Sequence, residues 1–145
     1  MAITTAMCNS FKQELLQGLH DLDNHTLKVA LIKNSPSGTY GAATTNYSTV
    51  TGNSDEATGS NYSAGGQNLD SATITLSGST AFVDFADEVF TNLTISADGA
   101  IIYNSSAANK AIAVFDFGGT VTSTSGDFTI VFPTADASNA VIRIS

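Results

Sequence analysis

Hydrophobic residues alternate with polar residues in several short stretches of the second half of the chain. Leu93 and Ile95, for example, flank a threonine. The same spacing recurs at Ile74 and Leu76, at Phe128, Ile130 and Phe132, and at Ile142 and Ile144. Because successive side chains of a strand point to opposite faces of the sheet, these stretches are predicted to be half-buried β-strands.

Seven strands are predicted after Leu69, separated by turn residues. They cover residues 72–77, 80–85, 92–96, 100–104, 110–117, 127–132 and 139–144. Asp98-Gly99 predicts a tight hairpin between the third and fourth strands, because glycine accepts the positive φ that such turns need. The strand over 110–117 is apolar on both faces except for Asp116, so it is predicted to be central. Short strands at this spacing favour a mainly β fold, an antiparallel sandwich or a barrel-like domain.

The first half of the chain predicts one short helix over residues 9–20. Ser10 and Gln13 have the spacing of a capping box at its start. One apolar face is predicted for this helix, made of Phe11, Leu15, Leu16 and Leu19. The next element is predicted to be a strand, with its alternating residues Leu27, Val29 and Leu31 on one face.

Residues 34–71 form a long stretch rich in glycine, serine, threonine and asparagine. It contains few aliphatic residues but includes Tyr40, Tyr47 and Tyr62. A long loop inside a small domain is usually functional or disordered, and tyrosines offer rigid, amphipathic contact area. We therefore expect an extended arm that a neighbouring subunit orders, with a mobile surface loop as the alternative.

Length and charge narrow the class of protein. The 145 residues suit one domain, with an N-terminal segment over 1–8 and the main strand block over 72–144. Five Lys and Arg against 13 Asp and Glu give a formal charge of −8, which disfavours binding to nucleic acid or to anionic membranes. No secretory signal or membrane-spanning stretch is recognisable, so synthesis and assembly in a cytoplasm are expected. The single cysteine, Cys8, is expected to be a buried thiol.

Two groups of potential metal ligands occur in the sequence, and neither has the spacing of a known site. The first comprises His20, Asp21, Asp23 and His25. It is better explained as the solvated end of the helix, because zinc sites normally need a further recognisable ligand. The second comprises Asp84, Asp87 and Glu88, with Asp116 or Asp127, and lacks EF-hand spacing. No metal or other cofactor is therefore expected.

No catalytic motif is recognisable. Neither histidine lies in a motif, and a Gly-x-Ser-x-Gly nucleophile elbow is absent from the sequence. Asp116-Phe117-Gly118 matches the kinase metal-binding triplet, but the other kinase motifs are missing, so the match is attributed to chance. We expect that the protein is not an enzyme.

A series of short motifs runs through residues 59–144. It starts with Gly59-Ser60-Asn61-Tyr62-Ser63-Ala64-Gly65-Gly66, followed by Leu69. It continues with Val83-Asp84-Phe85, Gly99-Ala100-Ile101-Ile102-Tyr103, Ala113-Val114-Phe115-Asp116-Phe117-Gly118-Gly119 and Gly126-Asp127-Phe128-Thr129-Ile130-Val131-Phe132. In content and order the series resembles the pattern of a family of small virion structural proteins of tailed phages.

This resemblance implies a structural protein of the phage particle. Small size, acidity and a polar β surface favour a capsid decoration, or cement, protein that binds the major capsid protein as a homo-oligomer, with a trimer favoured. The contacts are expected in the Tyr40–Gly66 arm and in the N-terminal segment. The named candidates are Tyr40, Tyr47, Tyr62, Gly65, Ile3 and Met7.

Two alternatives remain. One is a tail or fibre component that binds a host surface glycan through exposed tyrosines. The other is a minor hydrolase or inhibitor, which would require a deep pocket with titratable residues.

Overall fold

The protein is mainly β. The computed structural model describes residues 2–70 and 72–145; Met1 and Ser71, at the start of the predicted N-terminal segment and at the end of the predicted arm, lie outside them. In chain order the elements are β1 (Ala2–Ile3), β2 (Ala6–Met7), α1 (Asn9–Leu16), β3 (Leu27–Lys33), β4 (Thr39–Tyr40), α2 (Ser48–Gly52), β5 (Gln67–Asn68), β6 (Thr73–Ser77), β7 (Thr80–Asp84), β8 (Glu88–Asn104), β9 (Lys110–Ile130) and β10 (Ile142–Ile144).

The strands form three sheets. The largest has five strands in the order β2-β9-β8-β3-β5, and all of its pairings are antiparallel. A small sheet has three antiparallel strands in the order β10-β7-β6. β1 and β4 form a short parallel pair. The antiparallel fold class expected from the sequence is confirmed.

One long hairpin, made of β8 and β9, is the centre of the molecule. β8 has 17 residues and β9 has 21, and each merges two of the predicted strands. The predicted hairpin at Asp98-Gly99 is wrong, because β8 continues through it and Gly99 pairs with Asp116. Glycine is needed there for close approach, since a Cβ at this position would lie 2.3 Å from the Phe115 carbonyl oxygen.

β9 is less central than predicted. On the side away from β8 it pairs with β2, which has two residues, so β9 lies next to the edge of the five-stranded sheet. The strand passes through Gly118 and Gly119, which have φ values of 78° and 152°. The pairing is irregular here, because two steps on β8 correspond to five on β9, between Val121 and Asp116.

The predicted strand over 27–31 is confirmed as β3, but its burial differs from the prediction. Leu27, Val29 and Leu31 are buried as expected, and so are Ala30 and Ile32 on the other face. Since residues on both faces are buried, the rest of the chain covers β3 on both sides of the sheet. In the sequence, a strand that is buried on both faces is therefore a nearly continuous run of apolar residues.

Helix α1 is shorter than predicted and begins differently. Its N-cap is Cys8 and no side chain caps it, so the capping box predicted at Ser10 is wrong. The helix ends in a Schellman motif: Gly18 has a φ of 73°, its N–H donates to the Leu15 carbonyl, and the next N–H donates to the Glu14 carbonyl. Phe11 is fully buried, but Leu16 and Leu19 are 92% and 42% exposed, so the predicted apolar face is only partly confirmed.

The small sheet joins the rest of the core through aromatic side chains. Phe128, Ile130 and Phe132 are buried on one face, as their spacing predicts. The ring of Phe132 lies 5.8 Å from that of Phe85, just after β7, and 6.4 Å from that of Phe115 in β9. The apolar residues of β6 are less buried than their alternation predicts, because Ile74 and Leu76 are 51% and 72% exposed.

The described part of the predicted arm, residues 34–70, is folded onto its own chain; we call it the tyrosine segment. It contains β4, α2 and β5, and it buries Val50 and Ala57 in the core. Glu56 pairs with Ile32 of β3, and Ser60 pairs with Thr94 of β8. The expectation of an extended arm is therefore corrected: in the described residues, intramolecular contacts order this segment.

Candidate functional site

The most completely buried charge is the Asp55 carboxylate, which is 0% exposed. Its Oδ2 accepts hydrogen bonds from the Tyr40 hydroxyl at 2.6 Å and from the Gly38 N–H at 2.7 Å. Its Oδ1 accepts from the N–H and the hydroxyl of Ser37, at 2.9 and 3.0 Å, and lies 3.0 Å from Lys33 Nζ. We call this set the Asp55 cluster. It ties the end of β3 to the start of the tyrosine segment.

The Asp55 cluster favours the ionised carboxylate. Burial acts to raise the pKa of Asp55, but the hydrogen bonds from Tyr40, Ser37 and Gly38 and the Lys33 ammonium outweigh burial and hold the pKa well below its usual value. Burial and the adjacent carboxylate raise the pKa of Tyr40 to about 12. A permanently charged, fully paired carboxylate is a structural tie rather than a proton carrier.

The neighbouring acid, Glu56, binds two tyrosines of the same segment. Tyr47 donates to Glu56 Oε2 at 2.5 Å, and Tyr62 donates to Oε1 at 2.9 Å. The Gly65 N–H also donates to Oε1, at 2.6 Å. The Tyr62 hydroxyl in turn accepts from the Leu31 N–H of β3 at 2.9 Å. We call these contacts the Glu56 cluster.

Tyr103 of β8 extends this cluster into the main sheet. Its ring stacks on that of Tyr47, with centroids 4.4 Å apart, and its hydroxyl donates to the Gly65 carbonyl at 2.7 Å. Burial and then the Glu56 charge raise the pKa of Tyr103 to about 12. Burial also raises the pKa values of Tyr47 and Tyr62. The tyrosine hydroxyls therefore stay protonated and donate at neutral pH.

Gly66 permits the tyrosine segment to lie this close to β3. Its φ is 75°, and a Cβ there would lie 1.8 Å from the Val29 carbonyl oxygen. Any other residue would collide with the backbone of the neighbouring strand. The glycine-rich stretch is thus explained by close packing within the chain.

A third polar cluster surrounds Asn104 at the end of β8. The amide nitrogen of Asn104, which is fully buried, lies 3.0 Å from His20 Nδ1 and 2.9 Å from His25 Nδ1. Because an amide nitrogen only donates, both Nδ1 atoms accept, and each ring carries its proton on Nε2. His20 Nε2 lies 3.4 Å from Glu14 Oε1, and Lys110 Nζ lies 3.0 Å from Glu14 Oε2.

The environment of His20 disfavours its charged form. Burial is the largest effect and lowers the pKa of His20, while the Glu14 carboxylate opposes it and the charges of His25 and Lys110 assist it. His20 is buried, so the expected solvated helix end is wrong for this residue. The two histidines are held as hydrogen-bond acceptors, not as free metal ligands.

Neither of the two candidate groups of metal ligands forms a cluster. Within residues 2–70 and 72–145, no three His, Cys, Asp or Glu side chains are grouped so that they could hold a metal ion. In the acidic group, Asp87 accepts from the Phe132 N–H at 2.9 Å, and Glu88 accepts from the Gln67 amide. Asp127 accepts from the Asn92 N–H at 3.1 Å. These carboxylates bind separate partners.

Cys8 is buried, as expected, and is fully inaccessible. Burial and then the Glu14 charge raise the pKa of its thiol to about 11. A thiol in this state is a poor nucleophile at neutral pH. Cys8 therefore packs against Phe11 and its neighbours as a small apolar residue.

The residues predicted to contact a partner mostly have intramolecular roles. Tyr40 and Gly65 are buried, so the Tyr40 side chain does not reach the surface. Tyr47 and Tyr62 are half-buried and bonded to Glu56. A partner contact through the Tyr47 or Tyr62 hydroxyl would compete with these bonds, so their contact with a partner stays a prediction for the exposed portions of the rings.

The N-terminal segment is likewise part of the fold. Ile3 pairs with Tyr40 in the β1–β4 ladder, and Met7 pairs with Ala113 of β9. Both side chains are half-buried and pack against the core. Their contact with a partner stays a prediction, now restricted to their exposed portions.

Among the described residues, large apolar side chains are exposed outside the predicted contact segments. One group of them lies on the small three-stranded sheet. Ile74 and Leu76 of β6 share a face with Ala81 and Val83 of β7 and with Ile142 and Ile144 of β10. We call this set the small-sheet face. Val83 and Ile142 are 2% and 3% exposed, whereas Leu76 is 72% and Ile144 is 55% exposed. An open cavity of about 300 Å³ lies between this face and Leu15 and Leu22.

A second apolar surface follows β9. Phe115, Phe117, Val121 and Val131 line an open depression of about 360 Å³, which we call the aromatic groove. Val131 is 72% exposed and Val121 is 41% exposed. The Phe117 ring lies 5.9 Å from that of buried Phe128, so the base of the groove is part of the core.

A polar cleft of about 610 Å³ lies where the tyrosine segment meets the distal part of the β8–β9 hairpin. Hydroxyl groups of Thr58, Thr94, Ser96, Thr122 and Thr124 line it, with Lys33 and Glu56 at one end. We call it the hydroxyl cleft. It offers hydrogen-bonding groups without an aromatic platform.

Sequence reasoning missed Asp55 and Glu56, although a signal for them exists. They are the only two acidic residues between Lys33 and Asp70. An isolated acidic pair among three tyrosines and many backbone donors indicates carboxylates that accept hydrogen bonds within the fold. Asn104 carries no comparable signal, because its partners are about 80 residues away in sequence.

Comparison with protein-family models, with curated proteins and with solved structures gives no significant match to this chain. Among the described residues, neither helix is long and apolar enough to cross a membrane.

Proposed function

We propose that this chain is a non-enzymatic structural protein of a tailed-phage particle that decorates the capsid. The observation that carries the proposal is which side chains are exposed and which are held inside the fold. Large apolar side chains are exposed on the sheets, while Asp55 and Glu56 are committed to internal hydrogen bonds. Such a surface is suited to lasting contact with other proteins. The motif series between residues 59 and 144 supports the phage assignment by resemblance.

The shell contact is proposed at the aromatic groove. Phe115 and Phe117 form a base that is anchored in the core, and Val121 and Val131 stand at the accessible side. Aromatic side chains in a preformed depression lose little conformational entropy on binding and often dominate interface energy. In this proposal the partner is the major capsid protein, and the protein is located on the outside of the virion.

Co-sedimentation with undecorated heads tests this proposal. Purified protein is mixed with heads that lack it, and the bound copies are counted by quantitative mass spectrometry against the major capsid protein. Saturation at a simple fraction of the shell copy number is the expected result, because a decoration protein occupies symmetry-related sites. Absence of binding to heads would overturn the proposal.

A pair of matched variants locates the contact. Val131→Glu places a carboxylate in the aromatic groove, and Leu16→Glu makes the same chemical change on helix α1, where the side chain is 92% exposed. The groove variant should bind heads at least about tenfold more weakly, which corresponds to about 1.4 kcal/mol, and the helix variant should bind like the original protein. Equal binding by both variants would place the shell contact elsewhere.

The second candidate function is a tail or fibre component that binds a host glycan. The hydroxyl cleft favours it, because side-chain hydroxyls can exchange hydrogen bonds with sugar hydroxyls. Binding to host-cell polysaccharide, lost in Thr94→Val and Thr122→Val together and accompanied by no binding to heads, would favour this candidate. A few copies per particle would agree with it.

A further inference from the structure

Among the described residues, β6 is the longest of the strands that stand at the end of a sheet. β1, β2, β4 and β5 have two residues each, which is too short to pair with another chain. β10 has three residues, and its central one is the charged Arg143. β6 has five residues and pairs only with β7. Proteins usually protect a free edge of this length with a charge, a proline or a bulge, and β6 has none of these.

The free edge of β6 can form backbone hydrogen bonds. The two-residue turn Gly78-Ser79 closes on the pair Ser77 and Thr80. In an antiparallel ladder the backbone groups of every second residue point away from the partner strand, which here selects Ile74 and Leu76. Both residues are more than half exposed, so the edge and its apolar face are accessible together.

The sequence of β6 is complementary to itself. When two copies run antiparallel with Thr75 facing Thr75, Ile74 of one copy faces Leu76 of the other. The outward backbone groups of Ile74 and Leu76 then bond each other across the two chains. From Thr73 to Thr80 there is no charged residue, so two chains of net charge −8 meet at an uncharged edge.

We propose that β6 pairs with β6 of a second copy across a twofold axis at Thr75. The two small sheets then become one six-stranded sheet, in which the exposed parts of both small-sheet faces are continuous. Leu76 gains an apolar neighbour across the interface and its exposure falls. Such an isologous contact uses the same surface on both copies and closes as a dimer.

This proposal goes beyond decoration and does not depend on it, because it concerns the isolated protein. It specifies a twofold contact, whereas a trimer was favoured from the sequence. A trimer that assembles through another surface is therefore one of the outcomes that would overturn it.

Cross-linking tests the register directly. In Thr75→Cys the two cysteines would lie in a directly facing pair, with Cα atoms about 4.5 Å apart, which is within disulfide range. Ser77→Cys is the matched control, because it faces Thr73 of the other copy and its own counterpart lies about 13 Å away along the strand. Cys8 is buried and does not interfere. Mild oxidation should give a covalent dimer with the first variant and none with the second.

Charge variants test the interface without a covalent bond. Thr75 is exposed, so Thr75→Lys and Thr75→Glu leave the fold intact, but each places like charges opposite each other in the pair. By sedimentation velocity, the original protein should dimerise, and each variant alone should dimerise at least about tenfold more weakly. An equimolar mixture of the two variants should regain dimers.

A monomeric original protein at every concentration would overturn the proposal. So would a trimer that Thr75→Lys does not weaken. Because no heads are present in these experiments, their failure leaves the shell-binding result unaffected, and the two proposals are judged separately.

Discussion

Polar sequences usually lie at the surface and apolar ones in the core, but the tyrosine segment and the small sheet show the reverse. The tyrosine segment is polar in sequence, yet its Asp55 is buried and paired with Lys33 of β3, and its half-buried Glu56 accepts from Tyr62, whose hydroxyl accepts from Leu31 of β3. The small sheet alternates like a half-buried strand pair, yet Ile74, Leu76 and Ile144 are exposed. Hydrogen bonds to charged groups order the first region, and the second leaves apolar area available to another chain.

The comparison shows that low hydrophobicity does not by itself make a segment mobile. Asp55 and Glu56 together accept hydrogen bonds from three of the four tyrosines of the protein. Each phenol contributes apolar ring area and one strong donor, so it packs and bonds at once. The small sheet instead presents exposed apolar residues, and its accessible face makes it the better candidate for contact.

The largest effect is expected from Asp55→Ala. The change removes the buried oxygens that accept from the Tyr40 hydroxyl and the Gly38 N–H, and it removes the carboxylate that pairs with Lys33. We expect the free energy of unfolding to fall by about 3–5 kcal/mol, because several enclosed donors lose their acceptor at about 1–3 kcal/mol each. Urea unfolding followed by circular dichroism measures it. Asp23→Ala, at an exposed acid, is the control, and an equal loss in both would show that the Asp55 cluster is not a special tie.

Mild acid should destabilise the surroundings of His20 before it affects the Asp55 cluster of the tyrosine segment. The pKa of His20 is lowered in the folded protein, so the unfolded chain binds a proton more readily, and stability is lost as the pH falls below the unfolded value of about 6.5. Asp55 does not titrate in this range, because its folded pKa lies far lower.

The free energy of unfolding should therefore decline between neutral pH and the folded pKa of His20. His20→Gln, which retains an acceptor but cannot be protonated, should flatten this decline. Hydrogen exchange should increase first around Asn104 and Glu14, the contacts of His20, and not in the Asp55 cluster. A decline that persists unchanged in His20→Gln would assign it to other groups.

The smallest effect is expected from Leu76→Thr. The side chain is 72% exposed, so below the concentration of self-association the free energy of unfolding should change by no more than about 0.5 kcal/mol. Val83→Thr, on the same face but 2% exposed, buries a hydroxyl and should cost about 1–3 kcal/mol. Similar losses in the two variants would mean that the outer part of the small-sheet face is already covered in the monomer.

Much of the fold follows from local pattern. The strands around Leu93, Ile95 and Phe128 were predictable because their alternation matches their burial. The continuous path of β8 through Asp98 was not predictable, because this turn-forming pair is held in the strand by contacts from afar. The Asp98 carboxylate accepts from the Ser35 N–H and the Thr120 hydroxyl, and Gly99 is selected by close packing.

The site was less predictable than the fold. The tyrosines were identified as special residues, but their intramolecular hydrogen bonds were missed, because a sequence does not show whether a phenol finds a partner inside or outside the chain. The exposure of Leu76 was also hidden, since alternation gives the face of a residue and not what covers that face. Both errors have one cause, which is that burial is decided by tertiary neighbours.

The order of the strands in the main sheet bears on how the protein is made. β3, an almost continuous apolar run, pairs chiefly with β8, and β2 pairs with β9. A ribosome releases the first half of the chain before either of these partners has been synthesised. The β8–β9 hairpin, closed by the short connection 105–109, can then form from its own turn and provide the edge on which the waiting N-terminal strands assemble. Until that moment the apolar run Leu27–Lys33 lacks its main pairing strand, which leaves it open to association with other chains.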